Sequence, residues 1–572
     1  MAGLRDPDCC AHRQDSSECR LTPDLRAYLS IPEPRLEMIM RFLLTPIVVT
    51  ATLVSVAPTA ARAQADHQHH GDAATVGRVS FLTSCQPAVQ ERFEKAVAML
   101  HSFWFEEAQK SFEQVAVADP SCAMAHWGIA MTQLGNPFTG VAPTPERQKV
   151  ALAAGEQAVT LAASVSPRER GYAAAALALY RDADKTDYRS RMRAHEAAMR
   201  AVYEQNPSDP EAAAFYARSV ISNAPPADLK FERQRYAATL LEPLFLEQPK
   251  HPGLAHYIIH TFDSPALAQN GLDAARRYAG IAPSAPHALH MPSHIFTRLG
   301  YWDESIATNQ RSAAAEPNPD AAVHAMDYML YAYLQQGRDK EAQGVRDRAV
   351  ALPDRFYSGI LGYNFAAMSS RYALEREAWA DAATLAVPTG TAPFIEAVPR
   401  FARAIGAARS RQPEVAAPEV TGLAALRDTL KQRNDTYWAT IVESQRLAAE
   451  SWLAHARGND ADAVRLASEA ATLEETVEKH PVTPGPLLPA RELEGDLLLE
   501  LKRPADALRA YEQVLLREPN RRRALFGAAR AGQAAGNSAA ARKHYAALLE
   551  LLAKADGERA ETKAAKAYLK RG

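Results

Sequence analysis

The chain has 572 residues, of which 47% are hydrophobic and 23% charged, and its formal net charge is −2. This length allows several domains or one long repeat array. The balanced charge lacks the basic excess that nucleic-acid binding requires, so we expect no nucleic-acid partner. Alanine is frequent, and because alanine loses no side-chain entropy in a helix, the composition favours an α-helical fold.

Residues 40–63 have the layout of a secretory signal peptide, in which a basic residue precedes an apolar run and a cleavage motif follows at Ala61 to Ala63. A membrane-spanning helix is the alternative, but the run is shorter than the roughly 20 residues of a span and contains Pro46. We predict export to the periplasm or outside the cell, with no membrane span after cleavage. Residues 1–39 are interpreted as an over-extended start or a disordered segment.

The segment after the cleavage site, residues 64–88, is expected to be a flexible leader that holds metal loosely or not at all through His67, His69 and His70. The chain downstream of the signal keeps two cysteines, Cys85 and Cys122. An even pair in an exported protein predicts a disulfide, and two buried thiols are the alternative.

A repeated pattern of small, aromatic and proline residues follows the chain. Near the C-terminus, spacings of 12, 4, 3 and 5 separate Gly495, Ala507, Tyr511, Val514 and Pro519. The same frame occurs near the N-terminus in Ala96, Ala108, Phe112, Val115 and Pro120. In the middle of the chain, steps of 34 residues separate Pro249, Pro283 and Pro317. The pattern resembles the tetratricopeptide repeat (TPR), whose unit is 34 residues long.

The TPR resemblance implies an all-α, right-handed solenoid of stacked helical hairpins, in which the first helix of each unit, helix A, lines a concave groove. The chain also resembles a group of secreted bacterial TPR proteins carrying SCQPAVQERFEKAVAMLHSFWF, AMAHWGIAMT and HALHMPSHIFTRLG. That second resemblance implies the fold and export, and no activity.

The expected organisation is an N-terminal array over 89–353, degenerate helical repeats over 354–435, C-terminal units over 436–555 and a terminal helix or tail over 556–572. Within the degenerate part, the sequences TGTAPF and RQPEVAAPEV favour irregular connections because they are rich in turn-forming residues.

The TPR register places two histidine pairs, HYIIH and HMPSH, on the groove. His256 and His290 take position 5 of successive units, and His260 and His294 take position 9. Residues four apart share a helix face, and packed helices lie about 8–10 Å apart. Four imidazoles are therefore expected around one space, with His324 at position 5 of the next unit.

Neutral imidazole is a good ligand for transition metals. We predict a zinc, copper or iron site whose ligands are His256, His260, His290, His294, His324 and Asp327. Asp327 falls at position 8, which TPR units usually fill with a small buried residue. Since a buried carboxylate needs a partner, Asp327 is interpreted as a ligand or as the acceptor of a histidine N–H.

Two other roles for this groove stay open. The histidines can be structural, packing or hydrogen-bonding across helices, or the groove can bind a peptide or protein. The residues expected to face such a partner are Asp263, His287, Tyr328, Glu492, Asp496 and Arg530. The functional hypotheses are therefore a metal-binding protein or metal-dependent enzyme, and a scaffold without catalysis. No HExxH, phosphate loop or nucleophile elbow occurs, so no catalytic residue can be assigned.

Overall fold

The structure is a computed structural model, and it describes residues 74–316, 318, 322–352 and 359–571. The predicted signal peptide, the leader histidines and Pro317 lie outside the described residues. Within the described ranges every regular element is a helix, which confirms the all-α prediction. None of these described helices is both long enough and apolar enough to cross a membrane.

The first half of the described chain contains α1 Pro87–His101, α2 Phe105–Ala118, α3 Ala123–Thr132, α4 Pro145–Ala162, α5 Pro167–Ala178, α6 Tyr188–Gln205, α7 Pro210–Ser222, α8 Glu232–Glu247, α9 Pro252–Phe262, α10 Leu272–Ile281, α11 Pro286–His290, α12 Pro292–Arg298 and α13 Trp302–Ala315. The second half contains α14 Val323–Gln335, α15 Asp339–Val350, α16 Leu361–Glu375, α17 Trp379–Ala382, α18 Pro393–Arg409, α19 Pro413–Gln432, α20 Thr436–Ala456, α21 Asp460–Glu474, α22 Ala490–Glu500, α23 Pro504–Arg517, α24 Arg522–Ala534, α25 Ser538–Leu551 and α26 Ala560–Leu569. Short 3₁₀ turns occupy Pro137–Thr139, Ala268–Gly271 and Leu552–Lys554.

Local sequence explains where the helices begin and end. Many start with proline in the first turn, where its missing N–H costs nothing, and others start behind a capping side chain. The Asp187 carboxylate, for example, accepts the Ser190 N–H at 2.9 Å ahead of α6. Glycines with positive φ, such as Gly337 and Gly458, end the first helix of a hairpin and let the chain reverse.

The hairpins stack through a repeated contact between an aromatic ring and glycine. Tyr511 on α23 packs against Gly495 on α22, where an added Cβ would lie 3.0 Å from the ring. The same ring also fills the space beside Gly527 on α24. Phe112 on α2 fills the space beside Gly128 on α3 in the same way. Consecutive helical hairpins are thus locked together as the TPR resemblance implies, and the chain is a helical solenoid of this type.

The expectation of a flexible leader up to residue 88 is wrong from residue 74 onward. The side chains of Val76, Val79 and Phe81 are buried in the core of the N-terminal repeats. The Arg78 backbone N–H donates to the Lys250 carbonyl at 2.9 Å. The alternating apolar residues of this segment bury enough surface to hold an extended chain in place.

The degenerate region is more regular than predicted. RQPEVAAPEV, expected as an irregular connection, instead opens the long helix α19, because Pro413 stands at its first turn, where proline is tolerated. TGTAPF lies largely in the non-helical stretch between α17 and α18.

The solenoid curls far enough for distant repeats to touch. His101 at the end of α1 hydrogen-bonds the Tyr257 hydroxyl on α9, with 2.9 Å between Nδ1 and the oxygen. The Trp302 indole N–H on α13 donates to the Asn520 carbonyl before α24 at 3.0 Å. The middle repeats are therefore contacted by both the N-terminal and the C-terminal repeats.

The stacking contact at Tyr511 can be tested with two alanine substitutions that have the same effect on helix propensity. In Gly527→Ala the new methyl group overlaps the Tyr511 ring, whereas the space beside Gly344 on α15 is open. We expect Gly527→Ala to be less stable than Gly344→Ala by about 1–3 kcal/mol in urea unfolding. Equal stability of the two variants would contradict the packing.

Candidate metal centre

Four helices of the middle repeats bring six histidines together: His256 and His260 on α9, His287 and His290 on α11, His294 on α12 and His324 on α14. Pro292 divides the first helix of its unit, so that α11 ends at His290 and α12 begins two residues later. His287 and His324 are partly exposed, and the other four are buried.

The histidines form two triads rather than the single ligand set that the sequence predicted from His256, His260, His290, His294 and His324. One triad, called here triad A, is His256, His260 and His287. The other, triad B, is His290, His294 and His324. Within each triad the candidate ligand nitrogens all lie within 4.8 Å of one another. The grouping differs from the predicted one because His287, one turn before His290, faces the α9 histidines and joins His256 and His260.

Asn309 fixes the tautomer of His290. The Asn309 side-chain N–H donates to the Ser305 carbonyl at 2.7 Å, so its oxygen is the atom that faces His290. That oxygen lies 2.7 Å from His290 Nδ1 and can only accept. His290 Nδ1 therefore carries the hydrogen, and in the neutral ring Nε2 carries a lone pair.

Asp263 plays the same part for His294. Its carboxylate lies 2.8 Å from His294 Nδ1 and accepts the ring N–H. The same carboxylate is bound by Arg298 at 2.9 Å and by Lys479 at 3.1 Å. Asp263 thus already pairs with two cations, and both of them disfavour a further positive charge on His294. His294 Nε2 also carries a lone pair when the ring is neutral.

These two lone pairs point at each other, since His290 Nε2 and His294 Nε2 lie only 3.0 Å apart. Burial lowers the pKa of His290 to about 3, assisted by neighbouring His294. Burial also lowers the pKa of His294, although Asp263 opposes the shift. Both rings are neutral at pH 7, so neither Nε2 supplies a proton to the other. Two imidazole nitrogens bound to one tetrahedral zinc ion would lie about 3.3 Å apart.

His324 completes triad B. Its ring centroid lies 4.4 Å from that of His290. His324 Nδ1 is buried and has no hydrogen-bond partner among the described residues. A buried polar atom without a partner costs about 1–3 kcal/mol, so the triad provides a third nitrogen that a cation would satisfy.

Asp327, predicted as a ligand or a histidine partner, takes neither role. It is fully buried, and Arg371 Nε lies 3.1 Å from one of its oxygens. The Asn364 side-chain N–H donates to the other oxygen at 3.0 Å. The prediction is wrong because the partner that this buried carboxylate needs comes from α16, one helical unit later, and not from the histidines.

The middle of the groove holds a segment of the same chain, residues 479–486, which connects α21 to α22. The Tyr328 hydroxyl donates to the Thr483 carbonyl at 3.1 Å. Arg371 donates to the Gly485 and Pro486 carbonyls, both at 2.7 Å. Tyr328 and Asp263, expected to face a partner, therefore bind the chain itself through this segment.

The C-terminal residues expected in the partner groove are also occupied. Glu492 is fully buried, and its carboxylate binds Arg521 at 2.7 Å and Arg523 at 2.9 Å. Asp496 binds Arg523 at 2.6 Å. Of this set only Arg530 is exposed, with its guanidinium over the Phe526 ring. Arginines of the same chain thus form ion pairs with Glu492 and Asp496, for which the sequence analysis named no partner.

Two further groups of possible ligand residues already have partners within the chain. Cys85 and Cys122 form a disulfide ahead of α3. Glu211 is fully buried and accepts from His101 at 2.8 Å and from His251 at 2.7 Å. Burial raises the pKa of Glu211, but the two histidines lower it by more than burial raises it. The net shift is downward, and the carboxylate stays charged.

No protein-family model and no curated protein matches the chain. Among solved structures, it is similar to the human IFIT1 dimer with m7Gppp-AAAA, at 12% identity and a TM-score of 0.36 over 82% of this chain and 91% of that one. It is also similar to the APC/C hetero-tetramer Cut9-Hcn1, at 12% identity and a TM-score of 0.30 over 85% of this chain and 95% of that one. Similarities this distant leave the function to the geometry of the site.

Three residues of this site are not predicted by the sequence as part of a metal site. His287 was assigned to a partner groove, although its place three residues before His290, on the same helix face, was a usable signal for a further ligand. Asn309 and Lys479 gave no signal, because Asn309 lies on the second helix of its unit and Lys479 lies in the connection before α22.

Neutral buried histidines make the stability of the metal-free protein depend on pH. His290 has a pKa of about 3 in the fold and about 6.5 in the unfolded chain, so the unfolded state binds more protons between these values. The free energy of unfolding should therefore fall as the pH drops below about 6.5, by up to about 1.4 kcal/mol per pH unit for this residue.

This dependence can be measured by urea unfolding in the presence of a chelator between pH 5 and pH 8. In His290→Gln the slope of stability against pH should be smaller than in the unchanged protein, whatever the absolute stability of the variant. An identical slope would show that His290 is not held neutral.

Proposed function

We propose that this protein binds a transition-metal ion on His290, His294 and His324, inside the groove of its helical solenoid. One observation carries the proposal. The Nε2 atoms of His290 and His294 face each other at 3.0 Å while each Nδ1 donates its hydrogen outward. Two facing lone pairs repel each other. A cation between them removes the repulsion, because both nitrogens can then coordinate it.

The supporting groups around triad B are those that orient metal-bound histidines. In metalloproteins the second ring nitrogen of a ligand histidine commonly donates to a carboxylate or a carbonyl, which fixes the ring and raises the basicity of the ligand atom. Asp263 does this for His294, and the Asn309 amide oxygen does it for His290. Arg298 in turn holds Asp263 in place through a second hydrogen bond, to the Asp263 backbone carbonyl at 3.0 Å.

The donor set indicates which ions fit. Imidazole nitrogens suit zinc, copper, iron and nickel, whereas magnesium, calcium and manganese prefer oxygen ligands. Three protein ligands also leave a coordination position for water, which is the arrangement of catalytic rather than structural zinc sites. When bound there, such an ion would polarise a water molecule or a carbonyl group. This chemistry supports the metal-dependent enzyme among the functions considered.

The alternative of a scaffold that binds a peptide has less support. Asp263 and Tyr328 are engaged by residues 479–486, so a peptide would first have to displace that segment. No described contact favours such an exchange over the bonds already made.

We also propose that the protein works in an oxidising compartment after export. The Cys85–Cys122 disulfide supports this location, because such bonds persist outside the cytosol and are rare within it.

The metal proposal is tested by elemental analysis of protein purified without a histidine tag. His67, His69 and His70 should first be replaced by asparagine, so that loose binding by the leader does not contribute. We expect His290→Ala/His294→Ala to lose one equivalent of metal per chain relative to this background, since both facing nitrogens are removed.

His455→Ala is the matched control, because His455 is a partly exposed histidine far along the chain that pairs with Asp460. It should keep the full metal content. A folded His290→Ala/His294→Ala variant that retains as much metal as the control would refute the proposal.

A further inference from the structure

We propose that a second metal ion binds on triad A, His256, His260 and His287, and that the two ions form one dinuclear centre. This inference rests on the proposed function of triad B and extends it. Its support comes from donor atoms that triad B does not use.

Triad A repeats the arrangement of facing nitrogens. His256 Nδ1 lies 2.6 Å from the His101 carbonyl, which can only accept, so His256 Nδ1 carries the hydrogen. The lone pair of His256 Nε2 then points toward His287 Nε2 at 3.2 Å. The position of His101 is itself fixed, since its ring donates to the buried Glu211 carboxylate.

The third member of triad A has an unused donor atom. His260 is buried, and its Nε2 has no hydrogen-bond partner among the described residues. A buried ring nitrogen without a hydrogen-bond partner destabilises the fold, and a cation held by the triad would supply the missing partner. Each triad therefore contains a pair of nitrogens close to each other and one nitrogen without a partner.

An aromatic wall closes one side of triad A. Phe103 stacks on the His287 ring at 5.2 Å and packs edge-on against His256 at 4.4 Å. It lies at a hairpin turn with a φ of 55°, a conformation that Glu377, Arg411 and Lys502 share at other hairpin turns.

The two triads are adjacent. The His260 and His294 ring centroids lie 5.9 Å apart, and those of His287 and His290 lie 6.1 Å apart. The partly exposed members, His287 and His324, both neighbour His290. Ions on the two triads would therefore share one space, where a single bridging anion such as hydroxide could offset their charges.

Copper(II) alone is a suitable probe, because neighbouring copper(II) ions couple magnetically and isolated ones do not. Metal-free protein lacking the leader histidines is reconstituted with copper(II), freed of excess, and measured for copper per chain and for EPR spin count. We expect about two copper ions per chain and far fewer than two spins.

In His260→Ala/His287→Ala we expect about one copper ion per chain with a full one-copper spin signal. If the double variant does not fold, the single variant His287→Ala replaces it, because His287 is the partly exposed member of triad A. His455→Ala is the control for the loss of a histidine elsewhere in the chain. The coupled signal of the unchanged protein tests the inference without any variant.

The outcomes separate this inference from the proposed function. If the unchanged protein binds only one copper ion per chain, and His260→Ala/His287→Ala still binds that ion, the second site is overturned and triad B stands. Two copper ions with a full two-spin signal overturn the dinuclear arrangement. Absence of bound copper in the unchanged protein overturns both proposals.

Discussion

A neutral imidazole ring has one nitrogen that donates a hydrogen bond and one that accepts, and this constraint organises the centre of the solenoid. Asn309 and Asp263 accept the N–H groups of His290 and His294, so both rings turn their accepting nitrogens inward. Burial lowers the pKa of both rings and so keeps them neutral. The surrounding hydrogen bonds therefore turn a cluster of lone pairs toward one space, and the proposed metal site rests on this arrangement.

The way the solenoid closes explains why this site is buried. TPR arrays usually offer an open groove, but here residues 479–486 lie in it and are held by Arg371 and Tyr328. Lys479 from this segment reaches Asp263, which orients His294. The segment thus connects the C-terminal repeats to the histidine cluster, and it fills the part of the groove that a scaffold would offer to a partner.

The repeat spacing made the fold predictable, because each helical hairpin packs only on its neighbours and the small and aromatic residues of that contact recur in sequence. The same register placed all six histidines on the groove, five of them as metal ligands and His287 as a partner-facing residue. It could not show which of them meet, since triads form between helices and depend on how Pro292 divides α11 from α12. Asp327 was misassigned for a related reason: its partner Arg371 comes from another unit, and sequence spacing carries no sign of that contact.

The central claim is that His290 Nε2 and His294 Nε2 share a metal ion, and anomalous scattering from crystals of metal-loaded protein tests it most directly. Data collected on either side of the absorption edge of the bound metal locate the ion independently of any assumed ligand. We expect an anomalous peak within bonding distance of both Nε2 atoms, with His324 as the third nearest nitrogen. Metal-loaded crystals without a peak between these two rings would contradict the claim.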